Sequence, residues 1–301
     1  MTTENLRAGY IGVVGLPNVG KSTLVNHLTR AKVCITSNKP QTTRKNIMGV
    51  LTKENSQFVF VDSPGFIQAE AGLNSFLESE WRKVLEDVDT LVFVVSLDSK
   101  KESFERTLEM IDTTSKNKIV ILTKTDLNFP EREFIIEQAL RDRKVPFFKS
   151  RRKGKTEILD ITPGFLETLE NSLPQAEAFY YDSEIYTTQT LRELSSEIIL
   201  ENLFRCLNNE LPYETGVQIV DFKEEPRIYK IYAEVVVSRE RYKKIIIGRA
   251  GESIKRIGSL SRKSLETEFG KKVFLDLRVK CKEAWNKKNK SLKELGYAEI
   301  R

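Results

Sequence analysis

Short apolar runs alternate with stretches in which apolar positions return at helical spacing through the first half of this chain. Tyr10-Ile11-Gly12-Val13-Val14 reads as a buried strand and Thr23-Leu24-Val25-Asn26-His27-Leu28 as the opening of a helix. Ser37 to Arg44 is polar, contains Pro40 and has no usable period, so it reads as a loop. Gln57 to Val61, Thr90 to Val95 and Lys118 to Leu122 are strands by their β-branched and aromatic content. Phe104 to Ile111 is helical, and Val145 to Phe148 reads as the last strand. Strands alternating with helices predict an α/β domain on a mainly parallel sheet.

The pattern then changes. Pro163 to Thr190 holds prolines, acids and Tyr180-Tyr181-Asp182 with no sustained period, which suits a closing stretch running into a linker. From Leu191 to Asn209 the apolar residues fall near helical spacing, and Val217 to Phe222 and Ile228 to Val237 read as strands. Tyr242 to Ile247 leads into Gly248-Arg249-Ala250-Gly251, a helix follows from Glu252 to Phe269, and Val273 to Val279 closes with a strand. Lys280 to Lys293 is a basic tail around Trp285, either an arm or, as favoured here, a helix over this domain. The expected division is residues 1–175, a linker at 176–190, and a second α+β domain at 191–301.

A chain of 301 residues suits two domains with ordinary cores. No window approaches eighteen consecutive apolar residues, and the N-terminus lacks the apolar core of a secretory signal, so a cytoplasmic protein is expected. Cys34, Cys206 and Cys281 are far apart and form no CxxC, which fits a reducing compartment and argues against a thiolate metal site. The one histidine, His27, is expected to be a packing or surface residue. The net charge of +6 is concentrated. Residues 191–301 carry 24 Lys and Arg against 17 Asp and Glu, and within them residues 241–290 carry 16 against 5. A polyanion is the natural partner of such a segment. Phospholipid headgroups are polyanions too, which leaves peripheral binding at the inner face of the cell membrane open.

Gly15-Leu16-Pro17-Asn18-Val19-Gly20-Lys21-Ser22, set between a strand and a helix that opens at Thr23, fills the phosphate-loop template. Polyphosphate is approached there by main-chain N–H groups at the positive end of a helix, and side chains with a Cβ would obstruct it. Lys21 supplies a point charge for the outer phosphates and the Ser22 hydroxyl a ligand for Mg2+. In the polar loop, Thr42 and Thr43 are both candidates to close over the γ-phosphate and complete the metal shell. Asp62 ends a strand on the crevice side and can hold Mg2+, and Gly65 can offer its N–H to the γ-phosphate. Phe66 stands where Ras-like enzymes place a water-orienting glutamine. Asn18, a neutral oxygen ligand near the bridging phosphates, suggests that K+ assists hydrolysis instead. Thr123-Lys124-Thr125-Asp126 is one substitution from the Asn-Lys-x-Asp signature of guanine recognition, with Asp126 accepting from the ring N–H and the exocyclic amine. Ser150 and Arg151 stand where main-chain N–H groups contact the guanine oxygen. GTP is therefore the expected substrate.

In the second half, GxxG between two helices lets the backbone of about four nucleotides press against helix N-termini. Ile247, Gly248, Arg249, Ala250, Gly251 and Lys255 are the candidate RNA contacts.

The phosphate loop, Pro40-Gln41-Thr42-Thr43-Arg44, Asp62-Ser63-Pro64-Gly65 and the helix-strand-strand-helix-GxxG-helix-strand order together resemble the Era family of GTPases over nearly the whole chain. The resemblance implies a P-loop GTPase domain joined to a type II KH domain. It implies GTP turnover to GDP with Mg2+ and binding to the 3′ end of small-subunit ribosomal RNA during assembly of the 30S subunit; a monomer is expected. Phe66 is ordinary for that group; Thr123 for asparagine, Ser63 for threonine and Arg151-Arg152 in the base loop are departures. The competing reading is an RNA-binding scaffold whose nucleotide pocket binds weakly and hydrolyses little.

Overall fold

The computed structural model describes residues 6–36, 39, 42–66, 72–154, 158–207 and 211–297. Ser37, Asn38, Pro40 and Gln41 of the polar loop, and Asn209, lie outside the described residues. The chain divides into two compact units, Met1–Cys34 with Thr43–Ile67 and Leu77–Thr188, and Ile35–Thr42 with Gln68–Phe76 and Gln189–Arg301. The main division thus falls between Thr188 and Gln189.

In chain order the first half forms β1 (Arg7–Val14), α1 (Lys21–Thr29), β2 (Ile47–Thr52), β3 (Ser56–Asp62), α2 (Gly72–Asp87), β4 (Thr90–Ser96), α3 (Lys101–Thr113), β5 (Asn117–Thr123), α4 (Pro130–Asp142), β6 (Phe147–Arg152), β7 (Leu159–Ile161) and α5 (Phe165–Ser172). Seven strands make one sheet in the order β2-β3-β1-β4-β5-β6-β7. The four inner pairings are parallel, while β2 and β7 run antiparallel at the two edges. Every residue of β3 and β4 is buried, the continuous apolar run expected of strands covered on both faces. One face packs Leu24, Val25 and Leu28 of α1 and Phe165 and Leu169 of α5 against Ile11, Phe60 and Val92. The other packs Val84 of α2, Ile111 of α3 and Ile136 and Leu140 of α4 against Val14, Phe93 and Val120.

Two readings of the first half change. The last strand does not stop at Phe148: β6 continues to Arg152 because β7 returns antiparallel to it, Ser150 facing Ile161 and Arg152 facing Leu159. The stretch from Pro163 does contain periodic structure, since Phe165, Leu169 and Leu173 are all buried one turn apart around α5. After it, residues up to Thr188 lie along the edge of the same unit. The buried Gln57 side chain donates to Tyr181 O (2.7 Å) and accepts from the Tyr180 and Tyr181 amides (2.9 and 3.0 Å). Tyr180 also stacks on Tyr10, ring centroids 5.3 Å apart.

The second half forms α6 (Leu191–Cys206), β8 (Thr215–Glu225), β9 (Ile228–Val237), α7 (Glu240–Ile247), α8 (Glu252–Phe269), β10 (Lys272–Cys281) and α9 (Asn289–Glu294), the order expected of a type II KH domain. A capping box starts α6: the Thr190 hydroxyl accepts from the Glu193 amide while the Glu193 carboxylate accepts from the Thr190 amide. The sheet order is β10-β9-β8, parallel then antiparallel, with an irregularity between Ile219 and Asp221 that leaves Val220 exposed. Ile198, Leu203 and Phe204 of α6 and Ile257 and Leu265 of α8 pack against Ile231, Ala233 and Val235 of β9.

The basic tail folds back onto this unit. Trp285 is fully buried, its indole N–H donates to Glu214 O at 3.1 Å, and its ring covers Gly216. Leu292 of α9 and Tyr297 are buried beside it. Trp285→Ala is expected to cost about 3–5 kcal/mol, by cavity formation and by orphaning the Glu214 carbonyl, measured as a fall in the urea midpoint at constant slope. A loss under 1 kcal/mol would mean that the tail is an arm rather than part of the core.

Candidate nucleotide site and nucleic-acid interface

The phosphate loop leaves β1 through Gly15, at φ +150°, where a Cβ would sit 2.5 Å from Val94 O. Gly20, at φ +103°, precedes the first residue of α1, and Asn18 is a non-glycine residue at φ +63°. These left-handed turns fold the loop around the helix start, where unpaired amides and the helix dipole favour an anion. Lys21 Nζ donates to Leu16 O (2.9 Å) and Gly15 O (3.2 Å) inside that loop. Burial pulls the Lys21 pKa down to about 8, against the opposing pull of Asp62.

Three oxygens meet at the end of β3. Ser22 Oγ donates to Asp62 Oδ2 at 2.6 Å, Thr43 Oγ1 donates to the same oxygen at 3.3 Å, and the two hydroxyls are 3.0 Å apart. Asp62 is fully buried, and its Oδ1 has no hydrogen-bond partner. Burial raises its pKa, while Lys21 and the Ser22, Cys34 and Thr43 side chains pull the other way. A buried carboxylate with an orphaned oxygen beside two hydroxyls is a hard, all-oxygen donor set, which fits Mg2+. Thr42 is placed differently: its hydroxyl donates to Lys39 O at 2.8 Å. Among the described residues no group of three or more His, Cys, Asp and Glu could hold a metal, so a metal here would depend on substrate oxygens as well.

Gly65 lies against Pro17, whose backbone nitrogen would be 2.7 Å from an added Cβ, so the chain after β3 touches the phosphate loop. Phe66 donates its amide to Gly15 O (3.2 Å), and its ring packs on Trp81 of α2 at 4.7 Å. No side chain at position 66 is available to orient water.

The residues expected from the sequence to recognise the base surround the ends of β5 and β6. Thr123 Oγ1 donates to Val19 O at 2.6 Å and lies 3.3 Å from Val95 O, tying β5 to the phosphate loop. Lys124, at φ +57°, pairs with Asp98 at 2.8 Å, an acid just past β4 that sequence reading did not single out. Asp126 is exposed, and its Oδ1 receives a long contact from the Arg152 amide (3.5 Å). Ser150 is 1% exposed and its Oγ has no partner, while its carbonyl accepts from Thr125. Arg151 turns its guanidinium away to Asp160 of β7 (2.8 and 2.9 Å). A strand as short as the three-residue β7 shows no period in the sequence, so that partner carries no signal there.

Asn26, one turn after Ser22, belongs to no motif in the sequence but organises the chain after α1. Its side-chain oxygen accepts from the Val33 and Cys34 amides (3.0 and 2.7 Å), and its amide donates to Cys34 O (2.8 Å). His27 Nδ1 accepts from the Leu159 amide, a packing role as expected.

In the second unit, α7 ends at Gly248 (φ +73°), where a Cβ would meet Ser253 Cβ at 2.8 Å, and Gly251 (φ +79°) begins α8. Ala250 between them is also left-handed, at φ +50°. Gly248 is thus dictated by the turn, while Gly251 adopts a left-handed conformation with nearly open space around it. Arg249, Ala250 and Lys255 are exposed, Ile247 and Gly251 partly so, and the free N-terminus of an 18-residue helix lies at the turn.

Residues 10–124 match the family described as "50S ribosome-binding GTPase" and residues 210–286 the family described as "KH domain". The chain is 39% identical over 302 aligned residues to GTPase Era of Pseudomonas aeruginosa, covering 98% of this chain and 96% of that protein. It is 36% identical to GTPase Era of Pseudomonas putida, with both chains fully covered. Among solved structures, an Aquifex aeolicus Era variant bound to GDP and AlF4− superposes with a TM-score of 0.89 at 27% identity, covering 98% and 100% of the two chains. An Era complex with MgGDPNP and nucleotides 1506–1542 of 16S ribosomal RNA superposes with a TM-score of 0.88 at 29% identity and the same coverage. With the phosphate loop, the guanine-type strand ends and the GxxG turn each in place on such full-length relatives, this chain belongs to the Era family of GTPases.

Proposed function

We propose that this protein hydrolyses GTP to GDP and phosphate, and that nucleotide occupancy governs the binding of single-stranded 3′-end small-subunit ribosomal RNA by its KH unit during assembly of the 30S subunit in the cytoplasm. The observation that carries the reading is the convergence of Ser22, Thr43 and Asp62 beside Lys21. Main-chain N–H groups of residues 18–22, beyond Pro17, which has none, cradle the β- and γ-phosphoryls, and Lys21 exchanges its loop carbonyls for phosphate oxygens. Ser22 and Thr43 would hold Mg2+, with Asp62 behind them; Thr43 rather than Thr42 is assigned because its hydroxyl already points at both. When bound, Mg2+ neutralises charge on the transferred group. The relatives' recorded ligands, MgGDPNP, GDP with AlF4− and a 16S rRNA fragment, support the same substrate and partner classes. Asp126 selects guanine, since an unpaired carboxylate facing adenine is penalised.

Turnover needs positive charge near the bridging oxygen, and Phe66 contributes none. Asn18, exposed at the left-handed turn of the loop, offers its side-chain oxygen to K+ at that place. Single-turnover phosphate release is therefore expected to be on the order of ten-fold or more faster in KCl than in NaCl at equal ionic strength, a fraction of what an arginine finger contributes. Equal rates would remove K+; no release in either salt would remove hydrolysis and leave a nucleotide-binding scaffold. Peripheral attachment to phospholipid headgroups would rest on the lysines of the basic tail, since Trp285 and Leu292 are taken up by the core; no described helix is long and apolar enough to cross a membrane.

A further inference from the structure

Thr123 occupies the place where the guanine signature carries asparagine, and its hydroxyl is already engaged inside the protein. The residue is 5% exposed, and Oγ1 donates to Val19 O at 2.6 Å with Val95 O at 3.3 Å as the second neighbour. Both neighbours are carbonyl oxygens, so the single hydroxyl proton must be directed at them. Toward anything else the residue presents a lone pair and a methyl group, and the methyl sits beside the loop, 3.8 Å from where a Cβ on Gly20 would be. An asparagine amide in this position has two N–H groups, so one can hold the loop carbonyl while the other stays available.

Guanine N7 is an acceptor with no proton of its own. Facing a lone pair, it gains no hydrogen bond. Resting on the reading of this pocket as the guanine site, we infer that it is blind to N7: the base is read at N1–H and the exocyclic amine by Asp126 and at O6 by the 150–151 segment, and the pocket takes a guanine nucleotide in which C–H replaces N7 as readily as the parent. Thr123 then sets specificity in two ways, bracing the phosphate loop and leaving one edge of the base unread.

The test compares GDP with 7-deaza-GDP, in which a C–H replaces N7, by calorimetric titration of the full chain with Mg2+. The wild-type affinities are expected to agree within about two-fold. Thr123→Asn is expected to tighten GDP by about three- to ten-fold, one hydrogen bond's worth, and to leave 7-deaza-GDP where it was, so that the ratio opens. Thr123→Val, which lacks the hydroxyl altogether, should weaken both nucleotides equally by loosening the loop. A wild-type protein that binds 7-deaza-GDP five-fold or more weakly than GDP overturns the inference. So does a folded Thr123→Asn protein whose ratio stays at one. Should Thr123→Asn fail to fold, the wild-type ratio decides alone. If neither nucleotide binds, the guanine reading itself has failed, a result distinct from a pocket that binds GDP and reads N7.

Discussion

Lys21→Ala is expected to lower single-turnover phosphate release by on the order of a hundred- to a thousand-fold, comparable to removing one preorganised charge-stabilising donor from an active site. The side chain is buried beside Asp62 and is held by the Gly15 and Leu16 carbonyls until phosphate replaces them. Its ammonium is thus held at the loop, and only an exchange of those carbonyls for phosphate oxygens separates it from the bound state. The protein should survive the change, because a buried ammonium with a depressed pKa is itself costly; circular dichroism and a thermal melt would check this. The same depression sets a pH dependence. With its pKa lowered by burial to about 8 from the ordinary lysine value of 10.5, the free lysine loses its proton above pH 8, whereas the phosphate-bound lysine keeps it. GTP binding then takes up a proton, and affinity falls by up to about ten-fold per pH unit above pH 8. The sign for stability is opposite: the unfolded chain binds the proton more tightly, so between about pH 8 and 10.5 this group makes the fold more stable as pH rises. Lys21→Ala should flatten the affinity profile, and an unchanged profile with unchanged turnover would remove Lys21 from phosphate binding.

Gly251→Asp is expected to weaken single-stranded RNA binding by at least ten-fold at moderate salt. The position is left-handed, which aspartate tolerates better than most residues, and only Lys255 Cε at 3.9 Å lies near an added Cβ. Overpacking is thus a minor concern. What changes is charge: a carboxylate would stand at the N-terminus of α8, where a phosphate has to sit. Gly248→Ala is a poorer probe, since its Cβ would press on Ser253 at 2.8 Å and could disturb the fold. Arg249→Ala separates charge from shape. It should reduce the slope of log affinity against log salt by about one phosphate's contribution, about 0.7 for single strands. The measurement is RNA binding to the full chain across a salt series; full affinity in Gly251→Asp would remove the GxxG turn from the interface.

How much of this was legible beforehand depends on range. The phosphate loop and the GxxG helix pair are local grammar, with every defining residue within a few positions of the next, and the observed β9 (Ile228–Val237) and α8 (Glu252–Phe269) have the bounds read from pattern alone. Thr42 and Thr43 could not be told apart, because adjacent hydroxyls differ only in where the backbone aims them; the structure aims one at Ser22 and Asp62 and the other at Lys39. The end of β6 is not legible in the sequence, because its extension depends on β7, across a turn and too short to show a period. The stretch 176–190 reads as a linker because the ties of its first part, to the Gln57 side chain and to β2, reach back more than a hundred positions. α4 (PEREFIIEQALRD) went unread because its apolar residues are few and two of them, Phe134 and Ile135, point to solvent.

The strap after α5 has a protective effect on the outermost strand. Thr187 bridges Gly49, its hydroxyl takes the Met48 carbonyl, and Tyr186 O accepts from the Val50 amide, so the outward polar groups at the middle of β2 are already occupied. A bare rim there would be a template onto which a neighbouring molecule could add its own strand. With those groups paired by its own polypeptide, the sheet resists growing across molecules, and the crowded, partly folded conditions in which such growth begins find little purchase on this side.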